Sequence, residues 1–160
     1  MILNDSVYLI ALAALAAVIG VLLWQWLKRR GDYARLRDRV HRCTDGYAFL
    51  IDRRFRVRET NYYELNQEVA VDQPYVLGNV LHCQEGCESG LCGTGISCKT
   101  CPIRLVIKNA FKLKRNFDHV EATMHLYDVN HEVAQVDVSV DGELVCIGRE
   151  PHMVVKVKKK

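Results

Sequence analysis

The chain has 160 residues, enough for one domain of ordinary size plus an additional segment. Its formal charge of +3 is mild, and much of the excess lies in Lys28-Arg29-Arg30 and the lysine-rich end VVKVKKK. Basic residues so placed are attracted to anionic lipid, and nothing in the balance calls for nucleic acid.

The additional segment comes first. Val7 to Leu27 reads VYLIALAALAAVIGVLLWQWL, without a charge and with Gln25 as its one amide. About 20 helical residues cover roughly 30 Å of hydrocarbon, so the run is long enough to cross a bilayer once. Trp24 and Trp26 stand where indoles favour the headgroup zone, and Lys28, Arg29 and Arg30 follow at once. The short N-terminal flank carries only Asp5. This asymmetry predicts an anchor over residues 1–30 in the inner (plasma) membrane, with the N-terminus outside and the rest cytoplasmic. A signal peptide fits poorly, because no basic region precedes the run and WQWLKRR is no small-residue cleavage site.

Residues 31–43 read as a juxtamembrane linker helix. Tyr33, Leu36, Val40 and Cys43 recur at spacings of three and four, giving one apolar stripe among charges. The stripe serves either to pack the helix on its own domain or to form a homodimer that relays movement, and the two are compatible. Tyr47–Ile51 and Phe55–Thr60 are β-prone runs around an Asp52-Arg53-Arg54 turn. Tyr62 to Val71 is weakly helical and is broken at Asp72-Gln73-Pro74.

After the cysteine-rich segment, Pro102 suits a first helical position, since its missing N–H would be unpaired there anyway. Ile103, Val106, Ala110 and Leu113 form one face of the helix it begins. The last third is strand: Val120, Ala122, Met124 and Leu126 alternate with polar residues, and so do Ala134, Val136, Val138 and Val140. Asp141-Gly142 is a two-residue hairpin signal returning the chain through Glu143 to Ile147. Residues 153–160 read as a basic tail. Two strands plus three predict an α+β domain over 44–152, a five-stranded antiparallel sheet with helices on one face.

This order of elements resembles a PAS domain. FLIDRRFRVRETN looks like that family's first hairpin, with Asp52 at the turn and Asn61 ending the second strand. VLGNVL, Val76 to Leu81, is similar to the Gly-containing segment before the later helices, and Pro102 to Phe117 matches the long connecting helix. DGELVCIGREP resembles the last strand, which commonly closes in G-R-D-I-T; here Gly148-Arg149-Glu150-Pro151 stands instead. The resemblance covers roughly Thr44 to Glu150. It implies a sensory or dimerisation module, and the chain stops soon after the last strand, so a signal would pass through its own dimer or a separate signalling or redox partner protein.

The chemistry concentrates in HCQEGCESGLCGTGISCKTCPIR, residues 82–104, which holds Cys83, Cys87, Cys92, Cys98 and Cys101 out of seven cysteines. A cytoplasmic setting is reducing and favours ligands or redox-active thiols over structural disulfides. Cys98 and Cys101 form a C-x₂-C pair whose thiolates can share one centre. Cys101 precedes Pro102, and the partial positive charge of a helix start favours thiolate there, with Lys99 and Arg104 adding to the field. Gly90, Gly93 and Gly95 give the loop backbone freedom. Joining the pair to Cys83 and Cys92 gives four ligands, for which Cys87 or His82 can substitute.

Zinc and an iron–sulfur cluster both accept four thiolates, so spacing does not separate them. A metal-free Cys98–Cys101 switch and inert packing are the other readings of the five thiols. GLCGTGISCKTCPIR also resembles the C-G-x₄-C-x₂-C pattern of a cysteine-rich subgroup of bacterial PAS sensors, some redox-responsive relatives of which hold an iron–sulfur cluster. The functions in competition are a membrane-tethered sensor of metal or redox state, a membrane-associated iron–sulfur electron carrier, and an assembly module with structural zinc. Cys43 and Cys146 read as packing residues, Tyr62 and Tyr63 as core or surface with lining of a PAS cavity as the alternative, and His119, His125, His131 and His152 as scattered. No Ser–His–Asp grouping, phosphate loop or paired-carboxylate site is visible, so no enzymatic activity is expected.

Overall fold

The computed structural model describes residues 2–66, 76–128 and 130–160. A single helix, α1, runs from Ile2 to His41, so the expected anchor and linker are one continuous element. No proline interrupts it, and Ala and Leu, strong helix formers, fill much of its first half. From Val7 to Leu27 its large apolar side chains are exposed: Leu9 is 67% accessible and Ile10 70%. Beyond Gly31 the character changes. Val40 is fully buried and Tyr33, Leu36 and Cys43 pack beside it, as the stripe predicts.

Five strands form one antiparallel sheet: β1 Tyr47–Asp52, β2 Val57–Thr60, β3 Phe117–Tyr127, β4 Val133–Ile147 and β5 Glu150–Lys159. Their order across the sheet is β2-β1-β5-β4-β3. Between β2 and β3 lie α2 Tyr62–Asn66, α3 Leu77–Val80, α4 Gln84–Glu88, a 3-10 turn at Ser97–Lys99, and α5 Pro102–Leu113. The expected helix over Tyr62–Val71 is seen as far as Asn66; its remainder and the Asp72-Gln73-Pro74 break lie outside the described residues.

Period-two alternation sends strand side chains to two different layers. Phe49, Ile51, Met153, Val155 and Val157 point to one face, where they meet Ile103, Ile107, Ala110 and Phe111 of α5. Ala48, Leu50 and Val154 point to the other, where they meet Ile147 and Val40. As expected, α5 and its neighbours cover one face; the end of α1, whose stripe was expected to pack on the domain, covers the other. On α5 the buried set is Ile103, Ile107, Ala110 and Phe111, whereas Leu113, expected on that face, is 55% exposed.

The end of the chain differs most from expectation. Asp141-Gly142 does not turn; β4 passes straight through it, with Asp141 opposite Lys156 and Gly142 opposite Val155. Glycine is required there because a Cβ would lie 2.1 Å from the Phe117 ring, which packs across the strand. The hairpin closes instead at Gly148-Arg149, between the paired Ile147 and Glu150, with Gly148 at φ +63°. Residues 153–160, expected as a basic tail, thus belong almost entirely to β5, which lies between β1 and β4 at the centre of the sheet. Lys156 and Lys158 decorate that strand and face Asp45, at 3.9 and 2.7 Å.

The first hairpin forms where the sequence places it. Asp52 accepts hydrogen bonds from the backbone N–H groups of Arg54 (2.8 Å) and Arg56 (3.0 Å) and from the Arg56 Nε (2.8 Å). Burial works to raise its pKa, but those bonds and the Arg56 charge outweigh it and hold the carboxyl below its ordinary 3.8. Asn61, 1% exposed, accepts from Ala48 N–H (2.7 Å) and donates to Cys43 O (2.7 Å), tying β1 to the end of α1.

Candidate functional site

The cysteine segment sits over the start of α5 and against the edge strand β3. An isolated antiparallel bridge joins Cys83 to Leu126, and Tyr127 N–H donates to His82 O at 2.8 Å. The Tyr127 hydroxyl donates to Glu88 at 2.9 Å. Within the segment, α4 places Cys83 just before its first turn, and the 3-10 turn carries Cys98, which is 6% exposed. Cys101 caps α5 with extended backbone angles, φ −58° and ψ 118°, so the Pro102 helix start falls where predicted.

Cys83, Cys92, Cys98 and Cys101 all line one pocket of about 370 Å³. Cys87, offered as a substitute ligand, is exposed and is not among its lining residues. His82, the other substitute, stacks its ring on Tyr62 at 6.1 Å and likewise does not line the pocket. Phe55, Leu77, Leu81, Ile103 and Ile107 give it an apolar part, and Arg104 and Glu85 bring charges of opposite sign to its wall. All seven cysteines are free thiols. Among the described residues, no three His, Cys, Asp or Glu side chains are grouped to hold a metal ion. The four pocket thiols border a common space.

Burial pushes the Cys83 thiol up, against the backbone N–H groups of Gly86 and Glu85, with Cys101 and Cys98 adding to the rise. Cys92 is pushed up to about 11, chiefly by burial and further by Cys98 and Cys83, while Arg104 works in the opposite direction. Cys87 is also raised, by burial first. Desolvation thus opposes the thiolate at these three positions.

Residues that sequence reasoning missed hold the loop in place. Asn79 Oδ1 accepts Cys92 N–H at 2.7 Å, and its Nδ2 donates to Gly86 O at 3.1 Å. Gly78 lets α3 approach so closely that a Cβ would stand 2.5 Å from Cys92 Sγ. Glu85 Oε1 accepts Ser97 N–H at 3.2 Å. Gly78-Asn79 within VLGNVL was the available signal, since a Gly-Asn pair inside an apolar run marks a close approach and a side chain able to bridge backbones. Gly93, predicted for backbone freedom, has φ +103°, and its N–H points to Cys98 Sγ at 3.3 Å.

Of the other candidates, His125 on β3 lines the same pocket and the rest lie elsewhere. Cys43 packs in the outer layer and donates to Asp45 at 3.1 Å. Cys146, expected in packing, is exposed. Tyr62 belongs to the core, and His152 is buried with Nδ1 3.1 Å from Glu150 O.

The sheet, the run of short helices and α5 define an α+β fold with a cysteine-lined pocket between α5, β3 and the short helices. No family model and no curated protein matches the chain. Among solved structures it is similar to the crystal structure of a PAS domain from Desulfitobacterium hafniense, at 10% identity, over 75% of this chain and 96% of that one, with a TM-score of 0.46.

Proposed function

We propose that this protein is a membrane-tethered, non-catalytic sensory module in which Cys83, Cys92, Cys98 and Cys101 hold an iron–sulfur cluster. The observation that carries the reading is that four cysteines spread over nineteen positions line one pocket that is apolar in part. Four thiols bordering a space suit a centre that brings several atoms of its own better than one zinc ion, which draws four sulfurs to about 2.3 Å. Such a cluster supplies one-electron redox chemistry. The chain's own part is to provide the thiols, exclude water with Phe55, Leu77 and Ile107, and fix the loop through Asn79.

A sensing role, rather than electron carriage alone, is supported by how the pocket is connected. Its loop is bonded to β3 at Cys83 and His82, β3 is laddered to β4 and β4 to β5, and β5 packs under Val40 of α1. The same helix continues into the exposed apolar run, which is long and apolar enough to cross a membrane. At its end Lys28 lies 5.5 Å from the Trp24 ring and Arg30 4.0 Å from the Trp26 ring, as befits residues at a headgroup boundary. These features support an inner-membrane anchor with the domain on the cytoplasmic side.

The test is purification of the full chain in detergent without oxygen, with metal and acid-labile sulfide analysis. A brown protein containing iron and sulfide is expected. One zinc per chain without colour sinks the cluster and leaves an assembly module with structural zinc. Metal-free thiols that oxidise as a pair leave the Cys98–Cys101 switch.

A further inference from the structure

Arg104 sits on the wall of the cysteine pocket in an unusual state. Its Nη1 is buried and has no hydrogen-bond partner among the described residues. A buried, unpaired donor on a charged group is costly, because desolvation is not repaid. The guanidinium is nevertheless held firmly. Its carbon lies 4.4 Å from the centre of the Phe55 ring, a cation–π distance. On its other side it presses on Gly93, where a Cβ would fall 2.4 Å from Nη1. Phe55 itself stands at φ +64°, a conformation rare for an aromatic residue, and its ring lines the same pocket. Gly93 follows Cys92 and directs its N–H to Cys98, so the clamp places the guanidinium beside two of the four thiols.

We propose that Arg104 is the charge-compensating residue of the pocket, its Nη1 N–H donating to a sulfur of the bound centre. This deepens the cluster reading and rests on it. The pocket then takes a thiolate-bound centre of net negative charge, since four thiolates outweigh the charge of a common cluster core. Reduction adds one electron and makes that centre more negative, so a fixed cation beside it favours the reduced state. Arg104 is a positioning residue that sets the reduction equilibrium; it is not a ligand. The fork geometry matters as well as the charge, because Lys would place a compact, strongly hydrated ammonium where Arg places a planar donor.

The experiment reconstitutes the full chain in detergent with ferrous iron and sulfide under anaerobic conditions, then titrates it with dithionite as the electron donor. Wild type, Arg104→Gln and Arg104→Lys are compared for iron, sulfide and reduction potential. Arg104→Gln is expected to keep the iron and sulfide content while its reduction equilibrium constant falls at least tenfold, or about 59 mV for a one-electron couple. Arg104→Lys should fall by less. An unchanged potential in a cluster-loaded Arg104→Gln overturns the role of Arg104 and leaves the cluster reading intact. A wild type that takes up neither iron nor sulfide overturns the cluster reading itself. Should Arg104→Gln fail to fold, Arg104→Lys decides alone: a potential equal to wild type overturns the role of the guanidinium N–H.

Discussion

The two faces of the sheet are built on different principles. The outer face carries a small, dry contact in which Val40 meets Ala48, Leu50, Ile147 and Val154. Around it runs a polar rim: Arg39 bonds Glu143, Arg29 bonds Glu150 at 3.0 Å, and the His41 ring lies 2.8 Å from Glu64. Tyr33 donates to Glu59, and burial, then that bond, push its hydroxyl up to about 12. The inner face has the larger core, but above its far end lies a segment of short helices, close glycine contacts and thiols. That segment is held by backbone bonds, by the Asn79, Glu85 and Glu88 side chains, and by Cys92, Cys98 and Cys101 packed at the edge of the core. The contrast teaches that the outer contact and the core hold themselves, while the cysteine segment is ordered around its pocket.

The largest effect should come from the inner core. Ile107→Ala removes a fully buried side chain of α5 that also lines the pocket. A loss of about 2–5 kcal/mol in denaturant unfolding is expected, with both faces melting together. Separate transitions by strand and loop probes would contradict a single core. Next, Gly78→Ala drives a Cβ toward Cys92 Sγ and should cost about 1–3 kcal/mol, felt in the segment first. Hydrogen exchange should rise at residues 84–100 while β1 and β5 stay protected; protection lost evenly would show the segment and sheet to be one unit.

Asp52 gives a smaller, pH-coded effect at the first hairpin. Its folded pKa is depressed, so its contribution is fully present above the unfolded value of 3.8 and is lost as pH falls through the folded value. Wild type should therefore lose stability on acidification below pH 3.8 by more than Asp52→Asn does, as thermal melts can show. Equal acid sensitivity in the two proteins would remove Asp52 from the account. The smallest effect belongs to the outer rim. Arg39→Ala removes a half-exposed ion pair to Glu143 and should cost about 0.2–1 kcal/mol, shrinking as salt is added.

Legibility varied with how local the signal was. The first hairpin, the alternation of β3 and β4, and the start of α5 at Pro102 were readable because each follows from nearest-neighbour chemistry. That several cysteines share one region was readable from their spacing, but which four of the five line the pocket was not: Cys87, on the same loop, is exposed and lies outside it. Asn79 and Gly78 were not read as part of the site, because their role depends on Cys92, thirteen or more positions away. Arg104 was read for its charge, but its unpaired Nη1 became visible only once Phe55 and Gly93 were seen on either side.

By itself the sequence determined an apolar N-terminal helix, the first hairpin and the alternating runs of β3 and β4 in an α+β order, and a cluster of thiols before a proline-initiated helix. Local preference and period suffice for these. Only the tertiary structure decided where the last turn falls. Asp141-Gly142 favours a hairpin locally, yet turning at Gly148 lets Met153, Val155 and Val157 fill the centre of the sheet beneath α5. Burying those side chains outweighs a turn preference, at roughly 1.5–3 kcal/mol for each large apolar residue. The same reasoning turns a lysine-rich tail into the central strand: its valines face the two layers, and most of its lysines lie at the strand's end.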